Sequence, residues 1–235
     1  MRRVLDLYES GVMDRALGAS IRPGGLELTR RLAGLIELGR DRLVLDIACG
    51  KGSSVALLSQ EYGCRALGID LSRTLLSLAP KGAACLVADG TALPFEGSVF
   101  DAVIAECSFS LIADKERAAG EIGRVLKPGG RLAITDVYLR GEVPEERRTG
   151  LAFAGCIGGA VKQEDYLRLF ARAGFGDPYV EDHSDQLKKA ACKVMAAYGT
   201  IGNFVAEAGD GSVESWQRLF RDGRPGYALM TFTRL

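Results

Sequence analysis

The chain has no excess of charge of either sign: 30 Lys and Arg balance 30 Asp and Glu over 235 residues. It lacks the basic field that holds a phosphate backbone or an anionic membrane, so neither nucleic acid nor membrane is expected as a partner. No apolar run approaches the ~18 residues that a bilayer span needs. The first ten residues mix Arg2, Arg3, Asp6 and Glu9 into the place where a signal peptide is apolar, and a cytoplasmic location is expected. The six cysteines (49, 64, 85, 107, 156 and 192) contain no C-x-x-C pair, and the one histidine, His183, is not close to any of them in sequence. That spacing excludes the usual zinc and iron–sulfur sites, so no metal is expected and the thiols are read as free. Repeats and low-complexity tracts are also missing. With 47% hydrophobic and 26% charged residues, the composition excludes disorder and a disulfide scaffold and fits an ordinary globular chain.

What is present is an alternation of short aliphatic runs and helical patterns, the signature of a parallel sheet with crossover helices. Strands are expected at Leu43–Ile47, Arg65–Ile69, Ala84–Val87, Phe100–Ala105 and Arg131–Thr135. Ala118, Ile122, Val125 and Leu126 share one helical face, and the helix is expected to stop at Lys127-Pro128-Gly129-Gly130. Upstream, Leu28, Leu32, Leu35 and Ile36 form an amphipathic helix after the break at Pro23-Gly24-Gly25. Downstream come a helix through Tyr166 and Phe170, a short strand near Tyr179-Val180, a helix from Asp185 to Tyr198 and a last strand from Tyr227 to Thr233. One α/β domain is expected over 1–235, with an N-terminal helical cap (1–40), a core (41–137) and a substrate-side half with a helical insertion (138–235).

The first strand runs into Ala48-Cys49-Gly50-Lys51-Gly52-Ser53 and then a helix. Glycines at such a turn let backbone N–H groups approach a ligand closely. The third glycine of a dinucleotide fingerprint is replaced by Val55, and the phosphate-loop spacing is missing, so no pyrophosphate site is expected. Acidic residues stand at or just after four strands: Asp46, Asp70, Asp89 and Glu106. Ligands of open parallel sheets bind beyond the carboxyl ends of the strands, so four acids in register there point to one crevice. An ionised Asp70 could accept both hydroxyls of a ribose.

These segments resemble the class I S-adenosylmethionine-dependent methyltransferases. Val44 to Gly52 is similar to the family's first motif, Gly68-Ile69-Asp70-Leu71-Ser72 to its second and Ala88 to Phe95 to its third, while Arg124 to Leu132 is similar to the approach to its fifth strand. The resemblance implies a Rossmann-like, doubly wound sheet of seven strands, mostly parallel, with the last strand antiparallel. It implies S-adenosylmethionine as cofactor, bound by Asp46, Ala48, Gly50, Gly52, Asp70, Leu71, Asp89, Gly90 and Glu106. Asp46 and Gly50 would line the methionine end, Asp70 would hold the ribose, Leu71 would pack on adenine, and Asp89 with Gly90 would meet the adenine edge. Ala48 departs from the family, which usually has a third glycine there.

A small-molecule methyl acceptor is expected, met by a monomer or homodimer. Tyr8, Cys107, Cys156 and His183 are the candidates for its pocket, roofed by Tyr8–Gly25 and Asp185–Pro225. Cys156-Ile157-Gly158-Gly159-Ala160, followed by Glu164-Asp165-Tyr166 and Ala173-Gly174-Phe175, resembles the arsenite methyltransferase branch, whose members hold trivalent arsenic with several thiolates. Val55 replaces one of that branch's cysteines. Cys49 is expected beneath the glycine loop and Cys64 and Cys85 on the far side of the sheet, so no cysteine triad is expected. Leu93-Pro94-Phe95 and Arg124 to Gly130 resemble quinone-ring C-methyltransferases, and a non-catalytic cofactor-binding protein is the remaining alternative.

Overall fold

A strand reaches a parallel neighbour only through a crossover of a dozen residues or more, which is the spacing of the aliphatic runs here. In the computed structural model, which describes residues 2–18, 20–144, 155–208 and 213–235, these runs become β1 (Leu43–Ile47), β2 (Arg65–Asp70), β3 (Ala84–Val87), β4 (Phe100–Glu106) and β5 (Leu126–Leu139). They pair in parallel in the spatial order β3-β2-β1-β4-β5. A two-residue β6 (Val161–Lys162) pairs with β5, one strand more than the seven expected. The sheet continues from β5 through β8 (Pro225–Arg234) to β7 (Phe175–Asp182), and β8 is antiparallel to both neighbours. Strand order reverses between β1 and β4, and a crevice opens there at the carboxyl ends.

Helices cover both faces. Two short helices, α1 (Arg2–Glu9) and α2 (Val12–Leu17), precede α3 (Gly25–Leu35); α4 (Ser53–Tyr62), α5 (Arg73–Leu76) and α6 (Lys115–Val125) follow within the core. Beyond it lie α7 (Gln163–Arg172), α8 (Ser184–Tyr198), α9 (Ile201–Glu207) and α10 (Val213–Arg218). Leu28, Leu32, Val55, Leu58, Val194 and Tyr198 of α3, α4 and α8 pack into one core. Ala118, Ile122, Tyr166 and Phe170 of α6 and α7 pack into the other. Leu32 and Leu58 are fully buried, each contributing about 1.5–3 kcal/mol of transfer free energy.

Two expected boundaries are corrected. Leu126 is not the last helical residue but pairs with Phe100, and Lys127–Gly130 bulges out of β5 before the ladder resumes at Arg131. Gly129 supplies the left-handed turn (φ 72°), and Lys127 Nζ anchors the bulge 2.8 Å from Asp101 Oδ1. β7 is eight residues long rather than a short strand, with a register shift between Gly176 and Tyr179 where Asp177 adopts φ 49°. Asp177-Pro178 breaks the sequence pattern, while pairing to β8 keeps the edge strand. The stretch from Gly199 to Pro225 holds α9, α10 and a wide turn at Leu219–Gly223; residues 209–212 within it lie outside the described residues. Among the described residues no helix is long and apolar enough to cross a membrane.

Candidate active site

The glycine loop after β1 is built from left-handed backbone: φ is 55° at Ala48, 55° at Gly50 and 68° at Gly52. A Cβ on Gly50 would meet nothing within 4 Å, so the backbone conformation, and not crowding, calls for glycine. Gly52 does not line the crevice. A Cβ there would lie 3.0 Å from Cys85 Sγ; the residue seats the loop on β3 and begins α4. Ala48 holds the same conformation with a Cβ, which costs about 1–2 kcal/mol. Ala48→Gly is therefore expected to raise stability by about 0.5–1 kcal/mol after the entropy of the added glycine is subtracted. Urea unfolding measures this, and an unchanged or lower midpoint would show that Ala48 carries no strain.

Asp70, at the end of β2, receives Gly50 N on Oδ2 and Ser72 N on Oδ1, both at 2.8 Å. Each oxygen keeps a second lone pair for a ligand. Burial pushes the Asp70 carboxyl up, against the pull of those N–H groups. Next to it, Leu71 is 37% exposed, an apolar side chain open to the crevice. Asp89 also lines it, with Oδ1 accepting from Thr91 N and Thr91 Oγ1 at 2.8 Å. A Cβ on Gly90 would come 3.0 Å from Ile47 Cγ2, so the close approach of the two strand ends requires glycine or a shift.

Asp46 is displaced from its expected place. It is 2% exposed and absent from the crevice wall, buried beneath it, where desolvation and then the charge of Glu106 push its carboxyl well up. Glu106 does line the crevice, but its Oε1 is already taken. Arg22 Nη2 lies at 3.0 Å, Thr29 Oγ1 at 3.0 Å and Ser54 Oγ at 2.8 Å. Both hydroxyls in turn accept from Arg22 Nη2, at 2.6 and 2.9 Å. Sequence reasoning missed Arg22, which sits 84 positions from Glu106. The available signal was the need of a carboxylate on a buried strand for a cation. The second crevice cation, Lys51, is paired with Asp14.

A second cavity, of about 110 Å³, adjoins the crevice of about 350 Å³, and Tyr8, Ile21 and Cys107 line both. Its walls come from α1, α2, the loop up to Pro23, the Gly155–Ile157 turn and α8 to α10 together with Phe220. Cys156 belongs to this chamber, with its Sγ 3.3 Å from Cys107 Sγ. His183 does not. It starts α8 outside both cavities, with Nε2 3.1 Å from Glu181 Oε2. Arg31 holds that glutamate down to about 2, so the expected pocket histidine is part of a surface ion-pair cluster. Cys85 is also corrected: the short β3 runs under the glycine loop, which brings its Sγ 4.0 Å from Cys49 Sγ. Cys192 is exposed on α8, and among the described residues no third thiol joins Cys107 and Cys156.

The segment that carries the glycine loop and the acids beyond successive strands, residues 45–134, matches the family pattern described as a methyltransferase domain. The chain belongs to the class I S-adenosylmethionine-dependent methyltransferases and is an enzyme of that family. It is 30% identical over 224 residues to O-methyltransferase cnsE of Penicillium expansum, covering 90% of this chain and 79% of that protein. It is 28% identical over 221 residues to Methyltransferase GfsG of Streptomyces halstedii, covering 88% and 79%. Arsenite methyltransferase of Aquipseudomonas alcaligenes matches at 30% over 167 residues, covering 63% of this chain and 48% of that one. The chain spans about half of some relatives, including 46% of a wheat phosphoethanolamine N-methyltransferase. Phosphoethanolamine N-methyltransferase 2 of Haemonchus contortus, solved with S-adenosyl-L-methionine, shares the fold. Its TM-score is 0.76 at 21% identity, over 96% of this chain and 57% of that one.

Proposed function

We propose that the crevice holds S-adenosylmethionine along the glycine loop and that the acceptor is a small molecule approaching from the chamber. One observation carries this reading: Gly50, Asp70, Leu71, Asp89, Gly90 and Glu106, drawn from four strand ends, line a single cavity. When bound, S-adenosylmethionine supplies a methyl group on a sulfonium, and the acceptor's electron pair takes it as the C–S bond breaks. Asp70 would accept the ribose hydroxyls with its free lone pairs, Leu71 would cover adenine, and Asp89 with Gly90 would border its edge. Gly50 would let the chain approach the methionine end. The crevice wall carries Asp70, Asp89, Glu106 and Asp114 against Arg22 and Lys51, a surplus of carboxylates that favours a cationic cofactor.

Among the described residues that line the chamber there is no histidine and no carboxylate to act as a base. Burial pushes the Tyr8 hydroxyl well up, and the neighbouring Cys156 together with burial does the same to the Cys107 thiol. Both stay protonated at neutral pH, so the chain contributes chiefly alignment, which by itself can supply much of the barrier reduction. The test is transfer of labelled methyl from the cofactor to a panel of small metabolites by the purified chain. Cofactor binding with no transfer to any acceptor would return the non-catalytic reading to the front.

The Cys107–Cys156 pair favours a second reading, in which a trivalent metalloid is held by thiolates. Two thiols meet, but the contact with Cys156, together with burial, pushes the Cys107 thiol up, and no third joins them among the described residues. Cys156→Ser is therefore expected to leave cofactor affinity within about twofold, and arsenite to bind weakly to the unmodified chain. Tight arsenite binding abolished by that substitution, with methylated arsenic as product, would make the metalloid the acceptor. No observation singles out a quinone ring.

A further inference from the structure

The chamber has a chemical character that the crevice lacks. Among the described residues that line it, none carries a charge; the walls are aliphatic and aromatic, with Met13, Leu187, Val194 and Phe204 among them. The two cations that line the crevice, Arg22 and Lys51, are engaged with Glu106 and Asp14. A phosphate, a diphosphate or a free carboxylate entering here would lose its hydration and find no compensating charge among the described walls. An apolar body would meet aliphatic and aromatic side chains.

One polar group in these walls stands without a partner. Trp216 is 7% exposed, stacked on Phe220 at 5.9 Å between centroids, and its Nε1–H is buried with no hydrogen bond. Among the described residues only one other buried side-chain nitrogen or oxygen is orphaned, Arg22 Nε, and that arginine lines the neighbouring crevice. Buried donors are rarely left unpaired, and an oxygen acceptor brought here by a ligand would satisfy this one. The chamber's volume of about 110 Å³ is of the order of an engineered apolar cavity of ~150 Å³ that takes one benzene ring.

We propose that this chamber is the acceptor subsite and selects an uncharged molecule with an apolar body about one ring in size, whose carbonyl or hydroxyl oxygen accepts the Trp216 N–H. Phosphorylated and zwitterionic acceptors are rejected. The assignment of the occupant as methyl acceptor rests on the cofactor reading of the crevice; the chamber's selectivity does not. Trp216 acts as a specificity residue, and Tyr8, Ile21 and Cys107 form the passage through which the acceptor's reacting atom faces the crevice.

Trp216 is the chain's single tryptophan, so its own emission reports what enters. The chain is titrated with cyclohexanone, phosphoethanolamine and sarcosine, with and without saturating S-adenosylhomocysteine, whose binding is measured separately by calorimetry. Cyclohexanone is expected to change the emission saturably in both states, and the two charged compounds to leave it unchanged. In Trp216→Phe, which keeps an aromatic wall and removes the N–H, calorimetric affinity for cyclohexanone is expected to fall about five- to tenfold. Circular dichroism confirms the fold of that variant, and Phe220→Leu, which leaves the N–H in place, is expected to lose less. Saturable binding of phosphoethanolamine or sarcosine at Trp216, no response to cyclohexanone, or full affinity in Trp216→Phe would each overturn the proposal. Loss of S-adenosylhomocysteine binding alone would overturn the cofactor reading and leave the chamber's selectivity standing.

Discussion

Arg22→Met is expected to destabilise the protein by about 3–5 kcal/mol, because it strands a buried carboxylate. Glu106 is 3% exposed at its side chain and Arg22 9%, so solvent cannot take over the role of the guanidinium. Thr29 and Ser54 would still donate to Glu106, but both are neutral and their oxygens would lose the donor that now orients them. Methionine fills similar volume, so the loss reports charge and hydrogen bonding more than a cavity. The double variant Arg22→Met/Glu106→Gln removes both charges and is expected to recover most of the loss, since a neutral amide can be held by the two hydroxyls. Urea midpoints of the three variants measure this. A single-variant loss under about 1 kcal/mol would mean that Glu106 finds water or protonates, and the network would not be what fixes the N-terminal segment over the crevice.

Asp70→Ala is expected to weaken S-adenosylmethionine binding by about 1.5–3 kcal/mol, ten- to a hundredfold. Two losses combine. The ribose acceptor disappears, and Gly50 N and Ser72 N, now held at 2.8 Å, are left without a partner, which loosens the glycine loop. Asp70→Asn separates them: its one amide oxygen can serve only one of the two N–H groups, so an intermediate loss is expected. Calorimetry on folded variants decides the matter, and unchanged affinity in Asp70→Ala would remove Asp70 from the site.

The N-terminal helices are held by their own buried apolar positions, Leu7, Val12 and Ala16, and by polar contacts with the rest of the chain. Glu9 meets Ser72, Asp14 meets Lys51, and Tyr198 donates to Val12 O at 2.7 Å, tying α1 and α2 to the segments after β2 and β1 and to α8. Through Tyr8, α1 lines both the crevice and the chamber, while α2 lines the chamber through Met13 and Leu17.

The sheet and the crevice at its carboxyl end were legible in the sequence. Strands buried on both faces read as short aliphatic runs, and Gly50, Asp70, Asp89 and Glu106 follow them at spacings fixed by the crossover length, so the crevice is a local matter repeated four times. The sequence also carried the family, because those spacings are themselves the family's motifs. Tertiary structure alone decided the rest, for reasons of distance along the chain. The partner of Glu106 lies at Arg22, Cys107 meets Cys156 across 49 positions, and Cys85 reaches Cys49 only because β3 pairs beside β2. His183 was drawn out of the pocket by Glu181 and Arg31, a contact made by α3 against β7. The chamber is assembled from the N-terminal helices, the end of β4, the Gly155–Ile157 turn and the helices from α8 to α10, which are far apart in the sequence. Long-range side-chain meetings leave no periodic trace in a single sequence, whereas strands, turns and the acids that follow them do.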